Sequence, residues 1–459
     1  MSIFSKHIIY FIGIGGIGMS ALAKYFLRQG KIIVGYDRSE SPITMKLENA
    51  GAYLHYSEDI ESIPTIIRSS SNNDMVVVYT PAVSTESPLI KYIKGRGLDI
   101  YKRAEVLGMI CNNYSTVAVA GTHGKTTVSS LIAHVIHCSQ QNGMAFLGGI
   151  VKNYQSNFIN CENPKYVVAE ADEYDRSFLQ LSPEAAVITA IDADHLDIYK
   201  TYDALKQAYS DFVAKIIPSG KLLLKKEIAF IPQLGDKQVA YYSTHHQADC
   251  TIENLQLDNG YYIFDVKTPW GKIDRLKPGI TGDYNVENVL AAVSICLWLG
   301  IDKEQVKKAV EGFNGVKRRF DVQLNNENNI YIDDYAHHPE EIRAFVQSVR
   351  NVFPGKKITG IFQPHLYSRT RDLADEFSAS LSLLDELWLM DIYPARELPI
   401  EGVTSKIIFD KVTCPTKIMV EDNKILDLVQ SKKPPLLLTM GAGNIDQWVQ
   451  PIKQCLNEK

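Results

Sequence analysis

The chain has 459 residues, a length that favours two to four domains, and we expect three. Its 48 basic and 53 acidic side chains give a net charge of -5 without a basic tail or an acidic block, which argues against nucleic acid and charged membrane surfaces as partners. The 7 cysteines lack CxxC spacing and are expected to be reduced, which favours the cytoplasm. No apolar run approaches the roughly 20 residues that span a bilayer, so we expect no membrane insertion.

The first hundred residues alternate β-rich runs with helical patterns and predict a Rossmann-like domain over residues 1–110. A GxGxxG motif at 13–18 precedes a predicted helix, and Asp37 ends the next strand. Alone, the motif indicates NAD, but it certifies only a helix N-terminus open to a pyrophosphate, which UDP also carries. A tight glycine turn without a ligand is the alternative. The candidate ligand-binding residues here, including one serine after a further strand, are Gly13, Gly15, Gly16, Ile17, Gly18, Asp37 and Ser84.

A second glycine loop joins a β-branched strand at 117–120 to a helix. Gly121 and Gly124 let the backbone approach a polyphosphate, Lys125 offers a positive charge, and Thr126 places a hydroxyl where Mg²⁺ would bind. The loop is a shortened relative of the Walker motif, because Val119 stands where the strict spacing needs a glycine. The alternative is a glycine-capped turn with a solvated lysine. The predicted nucleotide-binding residues are Gly121, Thr122, His123, Gly124, Lys125, Thr126 and Thr127.

Acidic residues follow the next strand of this central domain, to which we assign residues 111–316. Four acids lie within 170–175, where Mg²⁺ ligands of nucleotide sites commonly occur, and crowding them without a cation is costly. His195 follows another strand and is expected beside Glu170 and Thr126. The alternatives are a solvated acidic turn and a histidine without a ligand.

Two further patterns complete the fold prediction. Residues 261–280 alternate and contain Pro-Trp-Gly, which predicts an antiparallel hairpin added to the parallel, P-loop ATPase-like sheet of the central domain. Renewed βα alternation predicts a C-terminal Rossmann-like domain over residues 317–459. The predicted fold class is therefore α/β with three domains.

Ordered motifs run through the whole chain. They are GIGGIGMSALA at 13–23, AGTHGKTT at 120–127, EADEYDRSF at 170–178, DADHLDIY at 192–199, GDYNVENVLAA at 282–292, KRRFD at 317–321, DDYAHHP at 333–339, QPHLYSRTRDL at 363–373 and MGAGNI at 440–445. With them the chain resembles the Mur ligase family. The resemblance implies joining of L-alanine to the carboxylate of UDP-N-acetylmuramate, with ATP and Mg²⁺, through an acyl phosphate and a tetrahedral intermediate in peptidoglycan synthesis.

The resemblance also implies roles at the nucleotide. Lys125 stabilises the β- and γ-phosphates, Thr126 and Glu170 hold one Mg²⁺, and His195 helps to hold a second. Asn285 and Asn288 resemble the asparagine pair of the adenine pocket. Arg319 resembles the arginine at the γ-phosphate, and Asp334 resembles the acid near the ribose. Helix capping is the alternative for the asparagines. Closure of the last domain onto the nucleotide is implied.

Tyr335, His337 and Arg369 resemble the set that grips the incoming amino acid, with Arg369 at its carboxylate. Leu366 stands where family members frequently carry an arginine, a departure that bears on the contacts of this carboxylate. His337 and Asp334 are the candidate bases for the amine.

Three other functions compete with this interpretation. A ligase that reattaches a recycled murein tripeptide to UDP-N-acetylmuramate shares nearly every nucleotide motif. An NAD-dependent dehydrogenase would explain the first glycine motif but has no use for the second phosphate loop. A nucleotide-sensing switch leaves the acidic cluster without a role. The sequence decides neither between a monomer and a homodimer nor among alanine, glycine and serine as substrate.

Overall fold

Five short apolar runs form a parallel sheet at the start of the chain in the computed structural model, which describes residues 3–192, 196–229, 234–395 and 397–457. The strands are β1 (Ile8–Ile12), β2 (Ile32–Tyr36), β3 (Tyr53–His55), β4 (Met75–Tyr79) and β5 (Ile100–Lys102). The helices are α1 (Ile17–Arg28), α2 (Pro42–Asn49), α3 (Thr65–Ser69), α4 (Pro88–Gly95) and α5 (Arg103–Cys111). The order β3-β2-β1-β4-β5 confirms the Rossmann-like prediction and creates a crevice between the loops that follow β1 and β4.

A second, mostly parallel sheet has the order β12-β11-β10-β6-β9-β7-β8. Its strands are β6 (Ser115–Ala120), β7 (Gly143–Val151), β8 (Ser156–Ile159), β9 (Tyr166–Glu170), β10 (Ala185–Ile188), β11 (Lys221–Lys225) and β12 (Gln238–Tyr242). Its helices are α6 (Lys125–Cys138), α7 (Leu196–Tyr199) and α8 (Tyr202–Lys215). One face of α6 has no exposed area, at Val128, Leu131, Ile132, Val135 and Ile136. The helix that carries the phosphate loop is thus fixed to the core.

The predicted hairpin is confirmed by antiparallel pairing of two strands within a three-stranded sheet. The strands are β13 (Thr251–Asp258), β14 (Tyr261–Thr268) and β15 (Gly271–Leu276), followed by helices α9 (Asp283–Trp298) and α10 (Lys303–Glu311). Trp270 at the turn stacks on Trp298, with ring centroids 4.3 Å apart. The aromatic contact holds the turn against the end of α9.

A last sheet has the order β16-β17-β21-β18-β19-β20 and is parallel except for β16. Its strands are β16 (Asp321–Asn325), β17 (Ile330–Asp334), β18 (Ile358–Phe362), β19 (Glu386–Leu389), β20 (Thr416–Met419) and β21 (Leu436–Met440). Its helices are α11 (Pro339–Val352), α12 (Tyr367–Asp372), α13 (Ala374–Leu381), α14 (Lys406–Phe409), α15 (Ile425–Lys432) and α16 (Val449–Asn457). Loops after β17, β18 and β21 meet at one edge, where such sheets bind ligands.

The chain divides into two compact units. Unit 1 contains residues 1–254, 264–276 and 288–313, and unit 2 contains residues 255–263, 277–287 and 314–459. The first two sheets belong to the same unit, so the domain limits near residues 110 and 316 stay predictions. Among the described residues, all helices are too short or too polar to cross a lipid bilayer. All 7 cysteines are free thiols, as expected.

Candidate functional site

The glycine loop after β1 lies beside the segment that follows β4, as predicted. Gly13 has φ +86°, and a Cβ there would lie 2.5 Å from Cγ2 of Thr80, so this contact requires glycine. The Gly15 amide donates a 2.7 Å hydrogen bond to Oδ2 of Asp37. Asp37 therefore braces the loop in this structure, and its predicted ribose contact stays a prediction.

The remaining predicted residues of this loop lie around the start of α1. Gly16 is the residue before the helix, and a Cβ at Gly18 would lie 2.9 Å from the Arg103 side chain. Ser84 lies in the segment after β4, where its Oγ accepts a 3.1 Å hydrogen bond from the Glu86 amide. The crevice is thus present, and its ligand contacts stay predictions.

A buried asparagine of β8 contacts the same helix. Nδ2 of Asn157 donates to the Ile17 carbonyl and, over 3.0 Å, to Oγ of Ser20. Nζ of Lys24 donates to Oδ1 of Asn157 over 2.6 Å. Sequence reasoning did not identify this contact, because the partners lie more than 130 residues apart in the chain.

The second glycine loop has the backbone of a phosphate cradle. Gly121 has φ +133° and Gly124 has φ +79°, conformations that residues with side chains rarely adopt. A Cβ at Gly121 would lie 2.8 Å from the Ala190 amide nitrogen. Among described residues, α6 has no side-chain hydrogen bond capping its start, so its first amides are available to an anion.

Neighbouring strands brace this loop. Oγ1 of Thr122 donates to Oδ2 of Asp192 over 3.3 Å, and the Asp192 amide donates back to Thr122 over 3.1 Å. Nε2 of His123 lies 3.5 Å from the same carboxylate. These contacts give Thr122 and His123 a role in loop shape beyond the predicted contact with a nucleotide.

Lys125 forms a buried ion pair that the sequence did not predict. Its Nζ donates to the Gly121 carbonyl over 2.7 Å and lies 2.8 and 2.9 Å from the two carboxylate oxygens of Glu173. The exposed fraction is 13% for the lysine side chain and 0% for Glu173. Burial lowers the pKa of Lys125, but attraction by Glu173, Asp172 and Glu170 outweighs it and raises that pKa above its ordinary value. Lys125 is therefore charged at neutral pH.

Three of the four acids in the segment 170–175 lie close to basic side chains of the protein. Asp175 accepts a 2.8 Å hydrogen bond from Lys102, and Asp172 lies 3.9 Å from Arg103. With the Lys125 pair, cationic side chains offset three of the four acids. The expectation that this cluster requires a bound cation is thus limited to Glu170.

Glu170, a predicted Mg²⁺ ligand, lies beside the phosphate loop. It ends β9, in register with Val119 of β6 next to the phosphate loop, and its Oε2 accepts a 3.1 Å hydrogen bond from the Gly148 amide. Glu170 and the nearly buried Thr126 supply the hard oxygen ligands that Mg²⁺ prefers, so they fit this ion. The described residues contain no cluster of three His, Cys, Asp or Glu side chains around a metal position. His195 lies outside the described residues.

The two predicted asparagines have different surroundings. In unit 1, a Cβ at Gly124 would lie 2.6 Å from Oδ1 of Asn288, so Asn288 borders the phosphate loop. In unit 2, Nδ2 of Asn285 donates to the Thr281 carbonyl over 2.7 Å at the start of α9. This bond has the opposite direction to a helix cap, in which a side-chain oxygen accepts from a backbone amide, and the adenine role of Asn285 stays a prediction.

Asp334 is buried in unit 2, and its carboxylate accepts hydrogen bonds from three other residues. Its Oδ2 accepts hydrogen bonds from the Phe320 amide at 2.7 Å and the Tyr284 hydroxyl at 3.2 Å, and its Oδ1 accepts one from the Ala336 amide at 2.8 Å. Burial raises its pKa, against the attraction of Arg319. Both oxygens are thus engaged, which makes Asp334 a poor candidate base.

The predicted amino-acid set comes together at the edge of the last sheet. Rings of Tyr335 and His337 are 5.1 Å apart, and His337 lies 6.2 Å from His365 in the loop before α12. Burial lowers the pKa of His337, with nearby Glu341 opposing and Arg369 reinforcing this effect. Nη1 of Arg369 is buried without a hydrogen-bond partner among the described residues. A neutral imidazole and an unsatisfied guanidinium nitrogen thus lie in one site.

The family models and relatives that match this chain define an ATP-dependent amino acid ligase. Residues 8–115, 119–296 and 318–443 match the Mur ligase family catalytic domain, the Mur ligase middle domain and the Mur ligase glutamate ligase domain. The chain belongs to the Mur ligase family. The dehydrogenase interpretation of the first glycine motif is therefore wrong.

Individual relatives extend over nearly the whole chain. UDP-N-acetylmuramate--L-alanine ligase of Parabacteroides distasonis is 47% identical over 449 residues, 98% of this chain and 97% of the relative. The crystal structure of the UDP-N-acetylmuramate-alanine ligase MurC from Thermotoga maritima has a TM-score of 0.81 at 27% identity, covering 97% of this chain and 98% of that one. A murein peptide ligase from Psychrobacter arcticus, at 18% identity and a TM-score of 0.71, covers 99% of both chains and is similar in fold.

Proposed function

We propose that this protein joins L-alanine to the lactyl carboxylate of UDP-N-acetylmuramate in the cytoplasm, with conversion of ATP to ADP and phosphate, as a step of peptidoglycan precursor synthesis. The 47% identity to an L-alanine ligase over 98% of the chain supports the substrates. The observation that carries the chemistry is the charged Lys125 in a glycine cradle beside an uncapped helix start.

The first step activates the sugar acid. A carboxylate oxygen of UDP-N-acetylmuramate attacks the γ-phosphorus of ATP, the bond to ADP breaks, and an acyl phosphate forms. The reactants are both anions, so the site must supply positive charge and in-line positioning. Lys125 and the first amides of α6 supply fixed charge and dipoles, and Arg319 is assigned to the γ-phosphate. Thr126 and Glu170 would hold Mg²⁺, with His195 at a second ion, and the metal supplies further charge neutralisation.

The second step forms the amide bond. The amine of L-alanine attacks the acyl carbon, and the tetrahedral intermediate expels phosphate. Arg369 is assigned to the α-carboxylate because its buried Nη1 lacks a partner among the described residues. His337 is the preferred base, since it is neutral and Asp334 has both oxygens engaged.

A test of the first step uses Lys125→Ala. This variant should lose transfer of ¹⁸O from the sugar carboxylate to phosphate while UDP-N-acetylmuramate still binds in calorimetry. Equal loss of transfer and sugar binding would contradict the assignment of Lys125. Phosphate release with a murein tripeptide and not with L-alanine would show that the tripeptide, and not L-alanine, is the substrate.

A test of the second step compares two arginines of α12. Arg369→Ala should raise the KM for L-alanine roughly tenfold to a hundredfold, the effect of losing a charge-assisted hydrogen bond of about 1.5–3 kcal/mol. Arg371→Ala is the matched control, because Arg371 is 52% exposed and bonds to Asp372. An unchanged KM in Arg369→Ala would remove Arg369 from the carboxylate site.

A further inference from the structure

Arg318 has a left-handed backbone in the loop before β16. Its φ is +64°, a conformation that costs energy for a residue with a side chain and persists only where contacts enforce it. Its amide donates to Oδ2 of Asp321 over 3.2 Å, and its carbonyl accepts a 2.7 Å hydrogen bond from the Tyr335 amide. The backbone of Arg318 is therefore joined directly to the loop that carries Tyr335.

The side chain of Arg318 is held by one hydrogen bond and by an ion pair, since Nε of Arg318 and Oδ2 of Asp333 are buried and form no hydrogen bond among the described residues. Nη2 donates to the Gly441 carbonyl, and Nε lies 3.5 Å from Oδ2 of Asp333. The exposed fraction is 17% for the arginine side chain and 1% for Asp333. Oδ1 of Asp333 accepts a 2.6 Å hydrogen bond from Thr439, whose Oγ1 lies 3.0 Å from the Tyr331 hydroxyl. A buried chain of hydrogen bonds thus holds the carboxylate toward Arg318.

The anchored guanidinium lies against the amino-acid site. Its central carbon is 5.1 Å from the ring centroid of Tyr335, and that of Arg319 is also 5.1 Å away. Cation–π contacts of this length favour one ring orientation. The Tyr335 ring in turn meets the edge of His337 at 5.1 Å and 77°. Arg318 itself is absent from the residues assigned to either substrate.

We propose that Arg318 is a positioning residue of the amino-acid step: anchored by Asp333 and the Gly441 carbonyl, it fixes the Tyr335 ring and, through that ring, His337. The proposal rests on the proposed function, because it assigns Tyr335 and His337 to the incoming L-alanine. It makes Arg318 specific to the second half-reaction and leaves formation of the acyl phosphate to other residues.

The test uses Arg318→Lys, which keeps the charge and loses the planar face and the forked donors. We expect the KM for L-alanine to rise about tenfold and the KM values for ATP and UDP-N-acetylmuramate to stay within twofold. Positional isotope exchange in ATP without L-alanine, which reports the acyl phosphate, should be unchanged. Thr439→Val removes the hydrogen bond that holds the Asp333 carboxylate and leaves Arg318 itself unchanged, so it should give a smaller rise in the KM for L-alanine.

Arg350→Lys is the matched control, since Arg350 is an exposed arginine of the same unit that pairs with Asp385. An unchanged KM for L-alanine in Arg318→Lys, or an equal rise in all three KM values, would overturn the positioning role. If circular dichroism shows that Arg318→Lys does not fold, Thr439→Val tests the proposal instead. Its KM for L-alanine should then rise relative to its KM values for ATP and UDP-N-acetylmuramate. Wild-type enzyme that releases no phosphate with L-alanine would overturn the proposed function itself, a result separate from any variant.

Discussion

The ion pair between Lys125 and Glu173 makes a quantitative prediction about stability. Lys125→Met removes the charge, keeps most of the side-chain length and leaves the Glu173 carboxylate without its cation in a site with 0% exposure. Such a carboxylate takes up a proton rather than remain charged. From an ordinary Glu pKa of 4.5, protonation at pH 7 costs about 3.4 kcal/mol, within the range of about 3–5 kcal/mol typical of broken buried pairs.

The sign of the pH dependence follows from this proton. Burial raises the pKa of Glu173 in the wild type although Lys125 opposes this effect, and loss of the lysine in Lys125→Met raises it further above the unfolded value. The variant is therefore most stable below the unfolded pKa and loses stability as pH rises. At pH 5 the cost of protonation falls to about 0.7 kcal/mol. At pH 5 the variant should be nearly as stable as wild type, and at pH 7 its free energy of unfolding should be clearly lower than that of wild type.

Urea unfolding without nucleotide, followed by circular dichroism at pH 5 and pH 7, measures this difference. The double variant Lys125→Met with Glu173→Gln is the control, since an amide has no charge to lose and should recover most of the stability at pH 7. A loss below about 1 kcal/mol at pH 7, or an equal loss at both pH values, would refute the description of a buried, mutually dependent pair.

Two further changes probe the fold around the sites. Gly121→Ala should destabilise the protein by about 1–3 kcal/mol and weaken ATP binding in calorimetry, because φ is +133° and the new Cβ would lie 2.8 Å from the Ala190 amide; Gly51→Ala, with φ +99° and open space, should leave ATP affinity unchanged. A normal ATP affinity in Gly121→Ala would contradict the cradle. For Glu386, burial alone would raise the pKa, but hydrogen bonds from Lys357, Lys432 and Trp388 lower it to about 2. Glu386 thus stabilises the fold above its ordinary pKa of 4.5, and this contribution fades as pH falls toward 2. Glu386→Gln should cost about 1.5–3 kcal/mol at pH 7 by urea unfolding and progressively less in acid; a loss that grows in acid would refute this.

Periodicity predicted most of the parallel strands because a strand buried on both faces leaves a continuous apolar run. The alternation of β-rich runs and helical patterns thus predicted the first and last parallel sheets, whose strands include Met75–Tyr79 and Ile358–Phe362. The strand Gly143–Val151 was missed, since its three glycines weaken the β pattern and its pairing with β8 and β9 is tertiary.

The site could be predicted where chemistry lies within one loop. Gly121, Gly124 and Lys125 are adjacent in sequence, and their backbone geometry follows from residue type. Crowding of the acids of 170–175 was expected to need a bound cation, whereas three of them contact basic side chains of the protein, and only tertiary packing reveals that Glu173 pairs with Lys125. Arg318 gave no signal of its own, because its importance comes from Asp333 and Tyr335, both more than ten residues away in the chain.

The contact between Asn157 and α1 has a consequence for dissecting the chain. Tyr25 of α1 packs against Phe146 and Phe158 of the β7–β8 pair, with ring centroids 5.7 and 6.2 Å apart. Beside these rings, the Asn157 side chain donates a hydrogen bond to the Ile17 carbonyl of the same helix. A fragment that started at residue 111 would expose Phe146 and Phe158 and would leave the buried Asn157 side chain without its hydrogen-bond partners in α1. The first two sheets of unit 1 should consequently unfold in a single cooperative transition, and expression trials ought to keep them on one polypeptide.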